Sequence, residues 1–159
     1  NSEEVKVRWH QIKKAEKRHS HEESILDSVP VSMPALMRAF RISEKAARAG
    51  FDWDDVFGVM AKAEEEWHEF TDAVSKDHQS DSIALEFGDI LFTLVNVARF
   101  ARVHPETSLL RSIKKFERRF KFMEKDIAQH GKTIESMTPQ ELNDLWEKAK
   151  LKTEPDNNT

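Results

Sequence analysis

Two runs decide how this chain folds: Lys62-Ala-Glu-Glu-Glu-Trp-His-Glu-Phe70, and, after a polar break, Leu85-Glu-Phe-Gly-Asp-Ile-Leu-Phe92. Residues three apart on a helix share a face, so Glu66 projects with Glu69, and on the next helix Glu86 projects with Asp89. The connection between them, residues 75–80, has the length that makes consecutive helices antiparallel neighbours, which brings four carboxylates toward one spot. Each pair alone repels itself. Four such charges together call for a cation.

Working outward, the apolar spacing is helical throughout, with no strand-like alternation and no repeat. Ser32 is expected to cap a helix with Pro34 in its first turn, running to Ala49 and stopped by Gly50. Asp52 is expected to cap the helix that holds the first acidic pair. The seam of that helix reads Val56, Met60, Ala63, Trp67, Phe70 and Val74, with Glu66 and Glu69 flanking it. Ser80 or Asp81 opens the next helix, whose seam is Ile83, Phe87, Ile90, Leu94 and Val97. A polar ribbon of Glu86, Asp89, Thr93 and Asn96 runs beside that seam. Pro105 begins a further helix with Leu109, Ile113, Phe116, Phe120, Met123 and Ile127 in register, ended by Gly131. Thr138, Pro139 and Glu141 supply cap, first-turn proline and capping-box acid for a last helix carrying Leu142, Leu145, Trp146 and Ala149. Before all of these, residues 3–17 read as a weakly docked helix. Residues 19–31 read as a loop anchored by Ile25, Leu26 and Val29. The expected division is therefore 1–31 helix and loop, 32–152 helical domain and 153–159 polar tail.

Composition narrows the function. With 159 residues the chain has room for one real core, and only 4 Gly and 5 Pro interrupt it. A net charge of −4 argues against a protein that coats nucleic acid, which needs an excess of basic residues. The absence of cysteine excludes disulfides, zinc–thiolate sites and thiol catalysis together. No apolar run is long enough to span a bilayer and no signal-peptide pattern opens the chain. The expected setting is cytoplasmic. The first residue is Asn1 rather than Met, which suits a piece of a longer chain.

Chemistry weighs on the acids. Magnesium takes hard oxygen ligands and keeps part of its water, so carboxylates plus substrate phosphates are its usual holders. Such a site neutralises a polyphosphate and acidifies a bound water. Lys115 and Arg119, four apart on a later helix, fit the phosphate, the Arg through its planar fork. Each feature also has a plain reading. A single Glu-x-x-Glu is ordinarily a solvated helix face, basic residues often cover a helix surface, Trp146 suits a core, and Asn96 could tie helices together as well as bind a ligand. Two metal alternatives fail on spacing. Glu65 and His68 make one Glu-x-x-His but no second copy follows, which disfavours a di-iron centre. The position four after His68 is Asp72, so the zinc-protease motif is incomplete. His10, His19 and His21 read as solvated residues.

The acidic runs, together with Lys115-Phe-Glu-Arg-Arg119-Phe, resemble the MazG nucleoside triphosphate pyrophosphohydrolases. Leu36-Met-Arg-Ala, Ala46-Ala-Arg-Ala-Gly-Phe-Asp-Trp53 and Leu145-Trp-Glu-Lys-Ala-Lys150 extend the likeness over most of the chain, in the family's order. It is the downstream, catalytic copy of that often two-domain family that is resembled. The resemblance implies an all-α helical bundle that forms a homodimer. It also implies magnesium-dependent cleavage of nucleoside triphosphates to monophosphate and pyrophosphate, with manganese as a substitute ion and broad base specificity that suits house-cleaning of the nucleotide pool.

By the same resemblance, Glu66, Glu69, Glu86 and Asp89 match the metal-binding acids. Glu65 and Lys62 match positions that contact nucleotide or place the catalytic water. Ser82 to Leu85 match the approach to the nucleotide, Lys115 and Arg119 the phosphate-binding positions, and Trp146 with Lys150 a late aromatic and cation. Alternatives are a narrower pyrophosphatase for one deoxynucleotide or a phosphoribosylated nucleotide, and a helical module that binds nucleotide or dimerises without turnover.

Overall fold

A computed structural model describes residues 24–76 and 80–153. Among them are five α-helices and no strand: α1 Ala35–Arg48, α2 Val56–Ser75, α3 Ser80–Phe100, α4 Pro105–Gln129 and α5 Pro139–Thr153. A single 3-10 turn, Ile134–Ser136, lies between the last two. The all-α expectation is met. The helix expected over residues 3–17 and the polar tail beyond Thr153 lie outside the described residues.

The chain divides into two compact units, the boundary falling between Pro105 and Glu106. In the first, α2 packs along α3, and α1 packs against α3 as well. Val59 and Val95 are the largest fully buried side chains. Removing a valine side chain of that kind from water stabilises the fold by about 1.5–3 kcal/mol. The second unit closes α4 on α5 around Met123, Ile127, Leu145 and Ala149, with Phe122, Ile134, Met137, Leu142 and Trp146 packed against them.

Several local expectations hold for the reasons given. α1 ends in a Schellman turn, with Phe51 N–H donating to Ala46 O and Gly50 N–H to Ala47 O, and Gly50 takes φ +92. Gly131 ends the α4 region at φ +68. At the start of α5, Glu141 N–H donates to Thr138 Oγ1 at 3.3 Å and Thr138 N–H donates back to Glu141 Oε2 at 2.8 Å. This is the reciprocal capping box read from the sequence.

Other expectations are corrected. Pro34, not Ser32, stands at the N-cap of α1, and no side chain caps it. The N-cap of α2 is Asp55, whose carboxylate accepts from Gly58 N–H at 2.9 Å. Asp52 is taken by a stronger partner, the Arg99 guanidinium. Of the proposed loop anchor, Val29 is buried, Leu26 half-buried and Ile25 exposed.

The seam of α2 is also turned from where the apolar spacing put it. Its buried stripe is Val59, Glu66 and Ala73, two turns apart each time. Met60, Trp67 and Val74 are left 47%, 54% and 51% exposed. Glu66 therefore lies in the packed stripe rather than beside it. In α4 only Met123 and Ile127 of the expected seam are buried, while Leu109, Ile113 and Phe116 are exposed.

Candidate metal and nucleotide site

Glu66 enters the site from α2, where the register that buries Val59 and Ala73 carries it inward until 6% of it remains exposed. Glu86 and Asp89 come from the facing side of α3, one turn apart. Each of the three offers a carboxylate oxygen, and these oxygens lie within 4.8 Å of one another. Like charges this close repel one another unless a cation joins them. Three hard oxygen donors suit magnesium or manganese, and leave coordination positions for water and phosphate. The residues present thus fit a divalent ion.

Glu69, expected as the fourth acid, is exposed on the next turn of α2 and is not part of that group of three. Lys62 stands one turn before Glu66, with its Nζ 2.7 Å from Glu66 Oε1 and 2.8 Å from Glu65 Oε1. Hydrogen bonds first to Glu65 and then to Glu66 raise the ammonium's pKa above the ordinary lysine value. Glu65 itself is largely exposed. Of the approach residues on α3, Ser82 is half-buried and Leu85 exposed.

Asn96 sits elsewhere in the same unit's framework. It is 2% exposed, accepts from Ser43 Oγ at 2.5 Å and donates to Phe92 O at 3.1 Å. Arg99 Nε donates to Ser43 Oγ at 2.7 Å, and the guanidinium forks onto both Asp52 oxygens at 2.9 and 2.5 Å. The Arg99 hydrogen bond is the main cause that lowers the Asp52 pKa, against partial desolvation, with the Arg99 charge adding to it. This chain of bonds ties α1, the loop after it and α3 together. Of the two roles left open for Asn96, tying helices is the one its hydrogen bonds display.

Ser43 and Arg99 were not singled out in the sequence, and Asp52 was read there only as a helix cap. They are separated by 47 and 56 positions, and no short-range pattern connects residues so far apart. By contrast, the Lys62–Glu66 pair is an i,i+4 pair that spacing alone suggests.

The second unit brings together two of its own expected residues. The Arg119 guanidinium lies over the Trp146 ring at 5.7 Å, and Phe116 meets the same ring at 5.3 Å. Lys115, one turn before Arg119, is exposed, and Lys150 pairs with Glu147 at 2.6 Å. Trp146 is therefore half-buried, with its ring shared between the core and a cation.

Residues 58–123 match the MazG nucleotide pyrophosphohydrolase domain. That segment resembles the MazG family. The chain is 42% identical over 142 residues to the nucleoside triphosphate pyrophosphohydrolase/pyrophosphatase MazG of Thermotoga maritima, a match covering 89% of this chain and 54% of that protein. It is 36% identical over 151 residues to the nucleoside triphosphate pyrophosphohydrolase of Escherichia coli K12, covering 94% and 57%. A third relative, the uncharacterized protein YabN of Bacillus subtilis, is 43% identical over 147 residues, covering 92% of this chain and 30% of that one. The chain spans little more than half the length of the two pyrophosphohydrolases it matches. The MazG match runs through Glu66, Glu69, Glu86, Asp89, Lys115 and Arg119 and stops before Trp146.

Proposed function

We propose that this chain hydrolyses nucleoside triphosphates to the monophosphate and pyrophosphate with a divalent metal, magnesium in the first instance and manganese as a substitute. The observation that carries the reading is the convergence of Glu66, Glu86 and Asp89 within a MazG-matching segment. The pyrophosphohydrolase names of the Thermotoga and Escherichia relatives agree with it. When bound, the ion supplies charge neutralisation and a more acidic water. Glu66, Glu86 and Asp89 hold it, with Glu69 as a further acid that a side-chain movement could recruit.

Glu65 orients the attacking water, and Lys62, Ser82 and Leu85 meet the nucleotide as it enters. Arg119 and Lys115 bind phosphate oxygens, Trp146 offers a ring for stacking, and Lys150 adds a cation. Breadth toward the base and a house-cleaning role in a cytoplasmic nucleotide pool complete the reading.

A homodimer is part of the proposal. The exposed apolar side chains Met60, Trp67 and Leu94 line a groove with Ala63, Ile90 and Val97 between α2 and α3. Burying such a face against a second copy is the usual remedy for it. Among the described residues no helix is long and apolar enough to cross a membrane.

The test incubates the purified chain with each common nucleoside triphosphate and magnesium and identifies the products. Monophosphate with pyrophosphate is expected from the parent, and neither from Glu86→Gln. Diphosphate with phosphate, or no turnover of any triphosphate, would overturn the reading in favour of another reaction or a binding module.

A further inference from the structure

One cation already lies on the acidic group. Lys62 Nζ contacts Glu66 Oε1 at 2.7 Å, and Glu66 is at once the most buried of the three convergent carboxylates and the one shared between the ammonium and any entering ion. A buried carboxylate needs a counter-charge, and two cations at one carboxylate repel each other strongly at such distances. Lys62 is itself about one-third exposed and sits on a flexible four-carbon stem. Its second partner, Glu65, is exposed and gives the ammonium a resting place off Glu66 without any backbone change.

Building on the metal reading above, we infer that Lys62 is an exchangeable counter-ion. It competes with the divalent cation for Glu66, and a triphosphate frees Glu66 for the metal by offering the ammonium its own anionic oxygens. Metal and nucleotide then help each other to bind, and by linkage each does so by the same factor. The metal alone binds weakly because it must displace Lys62. The nucleotide alone binds weakly because the carboxylates repel it.

Calorimetric titration of Mn²⁺ into the chain, with and without a nucleoside triphosphate whose α,β-bridging oxygen is replaced by methylene, tests this without turnover. Lys62→Met should bind Mn²⁺ alone roughly tenfold more tightly than the parent, a factor within the usual range of coupling between sites. The enhancement by the analogue should shrink in Lys62→Met. Lys62→Arg, which keeps the charge, and Lys76→Met, which removes a charge from the pair with Asp72 at the C-terminal end of α2, should bind Mn²⁺ alone like the parent.

Unchanged or weaker Mn²⁺ binding by Lys62→Met, with Glu86→Gln losing it, would overturn the counter-ion role and leave the metal site standing. Undiminished Mn²⁺ binding by Glu86→Gln, or none by the parent, would overturn the metal site and the inference together.

Discussion

The two compact units of this chain bury different things. Around α2 and α3 the buried set includes Ser43, Glu66, Thr93 and Asn96 beside Val59, Ala73, Ile90 and Val95. Around α4 and α5 it is Met123, Ile127, Leu145 and Ala149, all apolar. Buried polar groups cost stability unless bonded, and a buried carboxylate costs most. The first unit meets that cost in two ways. Ser43 and Asn96 are satisfied by a closed chain of hydrogen bonds through Arg99 to Asp52. Glu66 instead lies among like charges, with Lys62 offsetting it. The contrast separates polar burial satisfied within the fold from polar burial that the proposed metal would satisfy.

The sharpest break of this contrast is a pair of substitutions. Glu86→Gln should lower the proposed pyrophosphohydrolase activity by about a hundredfold or more. The same change should leave the melting temperature unchanged or raised, because it removes one of three repelling carboxylates. Ile127→Ala in the second unit should do the reverse. It should cost about 2–5 kcal/mol of stability through the cavity it leaves, as read from denaturant melts. If Glu86→Gln were the destabilising member, Glu66, Glu86 and Asp89 would be structural, and the contrast would collapse.

A smaller effect separates the hydrogen-bonded part of the first unit from its acidic part. A double-mutant cycle on Asp52→Ala and Arg99→Met should give a coupling of about 1–2 kcal/mol, the size expected of residues in one polar network. Additive single effects would mean that the fork between them contributes no more than a solvated ion pair.

The smallest effect is in the second unit and is read from pH. The Thr138 backbone N–H, and then the Lys132 ammonium, depress the Glu141 carboxyl to about 2. A carboxylate with a lowered folded pKa stabilises fully above its ordinary value and loses that stabilisation as pH falls through the folded one. The melting temperature of Glu141→Ala should therefore lie below that of the parent at pH 7. The gap should persist to about pH 4.5 and close as pH approaches 2. A gap independent of pH would show that the lost packing, not the charge, matters at this cap.

Reading helices from the sequence succeeded where the cause is local. The Schellman stop at Gly50, the left-handed Gly131 and the Thr138–Glu141 box each depend on a few adjacent residues, and all three are present. The caps failed where a distant partner competed. Asp52 resembles an N-cap in sequence, yet a bidentate bond to Arg99 outweighs a single bond to a helix N–H, and Asp55 takes the cap. The seam of α2 failed for a related reason. Periodicity marks which residues are apolar, but not which of two apolar faces meets α3.

By itself the sequence determined that the chain is helical, where most helices begin and end, and that two acidic pairs stand on consecutive helices. These follow from spacing and capping within a turn or two. The tertiary structure decided that Glu66 rather than Trp67 faces inward, that Glu86 and Asp89 join Glu66 while Glu69 stays outside, and that Lys62 occupies the shared carboxylate. The rotation of one helix against its neighbour sets all of these. That rotation is fixed by packing summed over the whole interface, which no short stretch of residues encodes.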